Sequence, residues 1–151
     1  MENGNKNERG LYEYEYPRPA LTADVVLFSD DMKEVLLIQR SNEPYRGCWA
    51  FPGGFLEMDE TLEQCARREL REETGIEIGT LHEIGTFSTV NRDPRGRVIT
   101  AAYCATVGKD TVKPMANDDA ANAKWFSVEN PPELAFDHEE ILKKALKTTK
   151  P

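Results

Sequence analysis

Along the chain, short apolar runs alternate with polar punctuation, and one long segment changes from a period of two to a helical period. Thr22 to Phe28 and Val35 to Arg40 are rich in β-branched and aliphatic side chains and are separated by Ser29, Asp30 and Asp31, which predicts a β-hairpin. Trp49, Phe51 and Pro52 form a short buried segment. The Gly53-Gly54 pair that follows lets the backbone turn sharply or approach a ligand closely. From about Thr61 to Thr74 the apolar spacing is helical, and Gly75 is its natural stop. Glu77 to Val90 reads as one or two strands interrupted by Gly79 and Gly85. Val98 to Val107 and Ala123 to Val128 read as two more. Pro131 and Pro132 break the chain before a second helix from about His138 to Lys147, with Ile141, Leu142 and Ala145 inward and Asp137 as its N-cap.

At the other end, Tyr12, Tyr14 and Tyr16 alternate with glutamates before Pro17 and Pro19, the pattern of an edge strand or extended arm. Met1 to Gly10 is polar and is expected to be a flexible tail, with structure beginning after it. Residues 11–151 then form a single domain of α/β class, a mixed sheet with helices against it.

The first helix carries the strongest chemical signal. Leu62, Cys65, Ala66, Glu69, Leu70 and Glu73 fall on one stripe, so Glu69 and Glu73 continue the apolar face. Gln64, Arg67 and Arg71 fall on the solvent side. Glu72 joins Glu69 and Glu73 at i+3 and i+4 spacing, which brings all three carboxylates to one patch. Burying unpaired carboxylates costs several kcal/mol or forces protonation, so an inward acidic cluster needs a counter-charge. Carboxylate oxygens without accompanying Cys or His pairs suit a hard divalent cation: Mg2+ first, then Mn2+ or Ca2+.

Composition narrows the classes. No apolar run approaches the roughly 18 residues of a membrane span, and the N-terminus lacks a secretory core, so the expected location is the cytoplasm. Cys48, Cys65 and Cys104 lack metal or redox spacing and read as buried thiols. A net charge of -8 opposes nonspecific attraction to nucleic acid or anionic lipid. Isolated His82 and His138 read as surface or capping residues. Glu57 and Asp59 precede the helix and favour its N-terminus through the dipole. The turn Asn91 to Arg97 is basic: either a solvated hairpin tip, or a contact through Arg92, Arg95 or Arg97 with an anionic or planar substrate group.

Gly54, Glu60, Arg68, Glu69, Leu70, Glu72, Glu73, Gly75 and Ile76 fill the pattern G-x5-E-x7-R-E-U-x-E-E-x-G-U, with U a bulky aliphatic residue. The stretch resembles the Nudix box at every defined position. The resemblance implies the Nudix α/β/α sandwich, a mixed curved sheet flanked by helices, and metal-dependent hydrolysis of a nucleoside diphosphate linked to another group. It implies Glu69, Glu73 and the Gly53 carbonyl as ligands of Mg2+ or Mn2+, with Glu72 a ligand or shared base. Arg68 would hold the glutamates and Glu60 would support the network. Family members often add an acid from a loop outside the box, for which Asp118 and Asp119 are the candidates.

The basic turn, the entry YEYPRPALTADVVLF and the segment LAFDHEEIL look like the ADP-ribose pyrophosphatase branch, which converts ADP-ribose to AMP and ribose 5-phosphate. On that likeness, Arg92, Arg95 or Arg97 would contact phosphate or ribose, and Tyr16 or Phe87 would stack on a base. Members are often homodimers, a property that the sequence itself does not display. Two alternatives stay open: another nucleotide substrate, such as a sugar nucleotide or modified nucleoside triphosphate, and a non-catalytic ADP-ribose sensor. Sensors of this kind usually have a damaged box and an additional DNA-binding domain.

Overall fold

A computed structural model describes residues 5–111 and 120–149 of the chain. The spine is β3 (Ala20–Ser29), which pairs in parallel with β8 (Val98–Val107) over its whole length, from Ala20 opposite Val98 to Ser29 opposite Val107. On the other side of β3 lies β4 (Glu34–Arg40), antiparallel to it with Phe28 opposite Val35. This is the predicted hairpin. The sheet extends from β4 to β5 (Trp49–Ala50) and β9 (Ala120–Ser127), and from β8 to β7 (His82–Phe87). The short β6 (Gly53–Phe55) pairs with the start of β3. One parallel pair among antiparallel ones makes the sheet mixed.

Both faces of β3 are covered, which explains why its sequence reads as a continuous apolar run with little alternation. Ala23, Val25 and Leu27 pack with Cys65, Ala66 and Leu70 of α1 (Leu62–Thr74). Val26 and Phe28 pack with Ile141, Leu142 and Ala145 of α2 (His138–Thr148). Two helices thus sandwich the sheet through two separate cores. Among the described residues no helix is long and apolar enough to cross a membrane.

The first helix starts and stops where its caps dictate. The Thr61 side chain accepts from the Gln64 backbone while Gln64 returns the bond, a complete capping box, and Gly75 closes the helix at φ 75° in the left-handed region. Arg71 and Gln64 face water. Arg67 is half-buried instead, because its guanidinium donates to the Ile78 and Gly79 carbonyls of the segment that follows the helix.

Glu77 to Val90 supplies one strand, within the expected one or two, and Gly85 sits within it at a register shift. Other expectations are corrected. Structure begins before Gly10: β1 (Asn5–Lys6) and β2 (Tyr12–Glu13) form an antiparallel two-stranded ribbon. Asp137 precedes α2 but its side chain makes no capping bond. Of the cysteines, Cys65 and Cys104 are buried and Cys48 is half-buried; burial pushes the Cys65 thiol up to about 12.

The Gly53-Gly54 pair is needed for close approach within the protein itself. Neither residue has positive φ; a Cβ on Gly53 would collide with Asp24 and the Ala23 carbonyl of β3. A Cβ on Gly54 would lie 2.5 Å from the Glu69 carboxyl carbon. Gly53→Ala is therefore expected to lower stability by about 1–3 kcal/mol, the usual cost of overpacking. Gly79→Ala, where a Cβ meets nothing within 4 Å, serves as the control. Urea unfolding midpoints of the two variants check this, and a shift for Gly53→Ala no larger than for Gly79→Ala would refute it.

Candidate active site

Arg68 organises the carboxylates of α1. Its Nε and Nη2 hold Glu60 at 2.9 and 2.6 Å, a two-pronged pairing that fixes the loop before the helix. Nη2 also donates to the Phe55 carbonyl at 3.1 Å. Nη1 reaches Glu69 Oε1 at 2.7 Å and Glu72 Oε2 at 3.1 Å. One guanidinium thus ties together three acids from a loop and two positions of the helix. Its hydrogen bonds pull the Glu60 carboxyl down to about 2.

Glu73 is held differently. Its Oε1 accepts the Gly53 backbone N–H at 2.7 Å. Burial, reinforced by the negative charges of Glu69 and Asp24, pushes its carboxyl up to about 8. Burial also raises Glu69. Glu72 alone of the three is exposed. Among the described residues no ready-formed cluster of three metal-binding side chains is present. The donor chemistry nonetheless fits a hard divalent cation: Glu69 and Glu73 crowd together on the inward stripe, with the Gly53 backbone against Glu73. Their raised pKa values express a deficit of positive charge at that point.

Glu73, Gly53 and Gly54 form one wall of a cavity of about 130 Å³. Thr22 and Asp24 from β3 also line it, as do Arg40, Arg92, Asp93, Arg95, Phe136 and His138. Of the arginines expected at a substrate, Arg92 is buried and gives both Nε and Nη2 to Asp137, at 2.8 and 2.6 Å. Arg95 pairs with Asp93 at 2.8 Å, and its guanidinium lies between the rings of Phe55 and Phe136, 4.8 and 5.3 Å from their centroids. Arg97 is exposed, donates to the Ser88 carbonyl and does not line the cavity.

The two expected aromatic contacts lie elsewhere. Phe87 packs into the core under α2, with the Lys144 ammonium over its ring. Tyr16 is 71% exposed and borders a separate groove that meets the cavity only at Phe55. Asp118 and Asp119 lie outside the described residues.

His138 corrects its expected surface or capping role. It is 3% exposed, its Nδ1 accepts the Phe51 backbone N–H, and burial lowers its pKa. His82 is exposed, as expected. Sequence reasoning also passed over Asp24, Arg40, Asp93, Phe55 and Phe136. A lone aspartate inside the apolar run of β3 was a visible signal; the convergence of the others depends on which loops meet.

A family model for the NUDIX domain matches residues 18–146. The chain is 42% identical to the ADP-ribose pyrophosphatase of Methanocaldococcus jannaschii, in a match that covers 90% of this chain and 79% of that one. It is 38% identical to the ADPR responsive transcriptional repressor NtrR of Acinetobacter baylyi, covering 95% of this chain but 60% of the repressor. The fold matches the cocrystal structure of the NUDIX domain of Shewanella oneidensis NrtR complexed with ADP ribose at a TM-score of 0.80 and 34% identity, over 89% of this chain and 91% of that one.

The Arg68–Glu60 pairing generates a pH prediction. Glu60 has a folded-state value of about 2 against an ordinary 4.5, so its contribution to stability is complete above about pH 4.5 and is lost as pH falls through about 2. Glu60→Gln lacks this contribution at neutral pH and is expected to lose less stability than the parent between about pH 5 and 2. Urea midpoints across that range test it; parallel pH profiles for the two proteins would exclude the pairing as a source of acid sensitivity.

Proposed function

The chain belongs to the Nudix family and is a Nudix hydrolase; from that premise we propose that it cleaves the pyrophosphate bond of ADP-ribose, giving AMP and ribose 5-phosphate. The observation that carries this reading is the Arg68-centred array of Glu60, Glu69 and Glu72 beside Glu73, which itself lines a cavity together with Arg40, Arg92 and Arg95. The choice of ADP-ribose is supported by the archaeal pyrophosphatase relative and by the ADP-ribose complex of the similar fold.

Glu69, Glu72, Glu73 and the Gly53 carbonyl would hold Mg2+, with Mn2+ as a substitute, and a cation bound there neutralises phosphate oxygens and acidifies a bound water. The chain's own residues do the rest. Arg68 fixes Glu69 and Glu72 relative to each other, so that the carboxylates are positioned before substrate arrives. The Gly53 N–H holds Glu73 in place. A carboxylate accepts the proton of the attacking water; exposed Glu72, or Asp118 or Asp119, would fill that role. Across the cavity, Arg40 and Arg95 offer positive charge to the substrate's phosphates.

Similarity to a repressor that responds to ADPR sustains the sensor as a second reading. The complete set of box glutamates favours catalysis.

Incubation with Mg2+ and a panel of nucleoside-diphosphate derivatives, followed by product identification, tests the proposal. ADP-ribose is expected to yield AMP, and Glu73→Gln to reduce kcat by about 1000-fold or more, since charge stabilisation is the main catalytic term. Equal turnover by the variant would overturn the carboxylate assignment. Preference for a nucleoside triphosphate would overturn the substrate, and tight binding of ADP-ribose without turnover would favour the sensor.

A further inference from the structure

The cavity lining holds a polar pair that the hydrolytic carboxylates do not use. Asp24 is the one charged residue in the run Thr22 to Phe28 and is 6% exposed. Its Oδ2 accepts the Thr100 hydroxyl at 2.6 Å. Facing it, His138 is fixed on several sides. The Phe51 backbone N–H donates to Nδ1 at 3.1 Å, the imidazole stacks on the Phe51 ring at 5.0 Å, and the Phe136 ring lies 5.6 Å away. Asp137, its immediate neighbour, is gripped by two donors, Nε and Nη2, on one edge of Arg92, so the start of α2 cannot easily swing.

These contacts specify the tautomer. Nδ1 is an acceptor, so the proton of the neutral ring resides on Nε2. That Nε2 lies 3.8 Å from Asp24 Oδ2, beyond hydrogen-bond reach. Both residues line the cavity. A donor and an acceptor so spaced can both be satisfied by one further oxygen: about 2.8 Å from each, it closes a triangle with an apex angle of about 85°.

The chemistry restricts what that oxygen is. A hydroxyl accepts from Nε2–H and donates to the carboxylate in the same geometry. An ionised phosphate oxygen has no proton to give and meets the charge of Asp24. An ammonium satisfies the carboxylate but opposes the Nε2–H. The position also adjoins the carboxylates: Gly53, whose N–H holds Glu73, is the direct register partner of Asp24.

We propose that Asp24 and His138 bind a hydroxyl of a ribose joined to the pyrophosphate, and so make the site specific for ribosyl over deoxyribosyl substrates. This rests on the reading of the substrate as a nucleoside-diphosphate derivative, and the two separate experimentally.

The test is a cycle of substrate and protein changes: kcat/KM for ADP-ribose, for its 2′-deoxyadenosine analogue and for its terminal 2-deoxyribose analogue, each with the parent, Asp24→Asn and His138→Gln. With the parent, one of the analogues is expected to fall about 10- to 100-fold, mainly through KM, as befits a buried donor and acceptor left unpaired. In either variant the penalty for removing that hydroxyl should shrink to about threefold or less. Undiminished penalties in both variants, or no penalty in the parent, would overturn the proposal and leave the pair as a water-bridged structural contact. If Asp24→Asn fails to fold, His138→Gln and Thr100→Val complete the cycle. Failure of the parent to turn over ADP-ribose would overturn the substrate reading alone; the same cycle then runs on the ribosyl substrate it does cleave and its deoxy counterpart.

Discussion

The pairing of Arg68 with Glu60, Glu69 and Glu72 is the interaction on which the site depends. Three acids within reach of one another repel, and two of them, Glu60 and Glu69, are largely removed from water. A single arginine contacting all three converts repulsion into a fixed array. Its planar fork makes this feasible where a lysine would not, because separate donors reach separate carboxylates. Removing a partner from such a buried network leaves charges uncompensated, typically at about 3–5 kcal/mol. Arg68 therefore links the geometry of the site to the stability of the fold: through Glu60 and the Phe55 carbonyl it also pins the loop that leads from β6 into α1.

β3 makes the complementary contribution. Its odd-numbered residues pack under α1 and its even-numbered ones under α2, so a single strand fixes the position of one helix relative to the other across the sheet. Asp24 belongs to the even set. Its side chain points toward the α2 layer, where His138 starts the helix, while its backbone partner Gly53 turns back toward Glu73 of α1. The cavity forms where these two requirements meet, at the β6 edge of the spine.

How much of this could be read in the chain follows from the range of the interactions involved. The α1 site was legible because its contacts are local: helical phase alone sent Glu69 and Glu73 inward, and spacing alone brought Arg68 to Glu72 at i+4. The hairpin of β3 and β4 and the capped ends of α1 are local in the same sense. The parallel pairing of β3 with β8 spans most of the chain and leaves no periodic trace. His138 shows the limit most clearly. As an isolated histidine next to a good capping residue it reads as surface, yet Arg92 diverts Asp137 from capping and the Phe51 backbone draws the imidazole into the interior. The basic turn divided likewise: Arg92 and Arg95 reach the cavity through their aspartate partners, while Arg97 turns to the Ser88 carbonyl.

Those aspartate partners bear on how a protein of net charge -8 would receive an anion. The cavity lining carries three arginines, but Asp93 and Asp137 offset two of them. On the proposed reading, a phosphate would meet a set of oriented N–H donors on rigid supports more than a large positive field. Arg95 illustrates the gain. Held by Asp93 and flanked by Phe55 and Phe136, its guanidinium keeps one orientation, so less side-chain freedom remains to be lost when substrate binds. The carboxylate wall is arranged on the same principle with the signs reversed: Arg68 and the Gly53 N–H fix the acids in advance while leaving their combined charge negative enough to require a cation. Pre-oriented groups of both signs thus meet at one small cavity, which Glu73 and Gly53 line together with Arg40, Arg92 and Arg95, and on the proposed reading a pyrophosphate carrying its metal would be complementary to both.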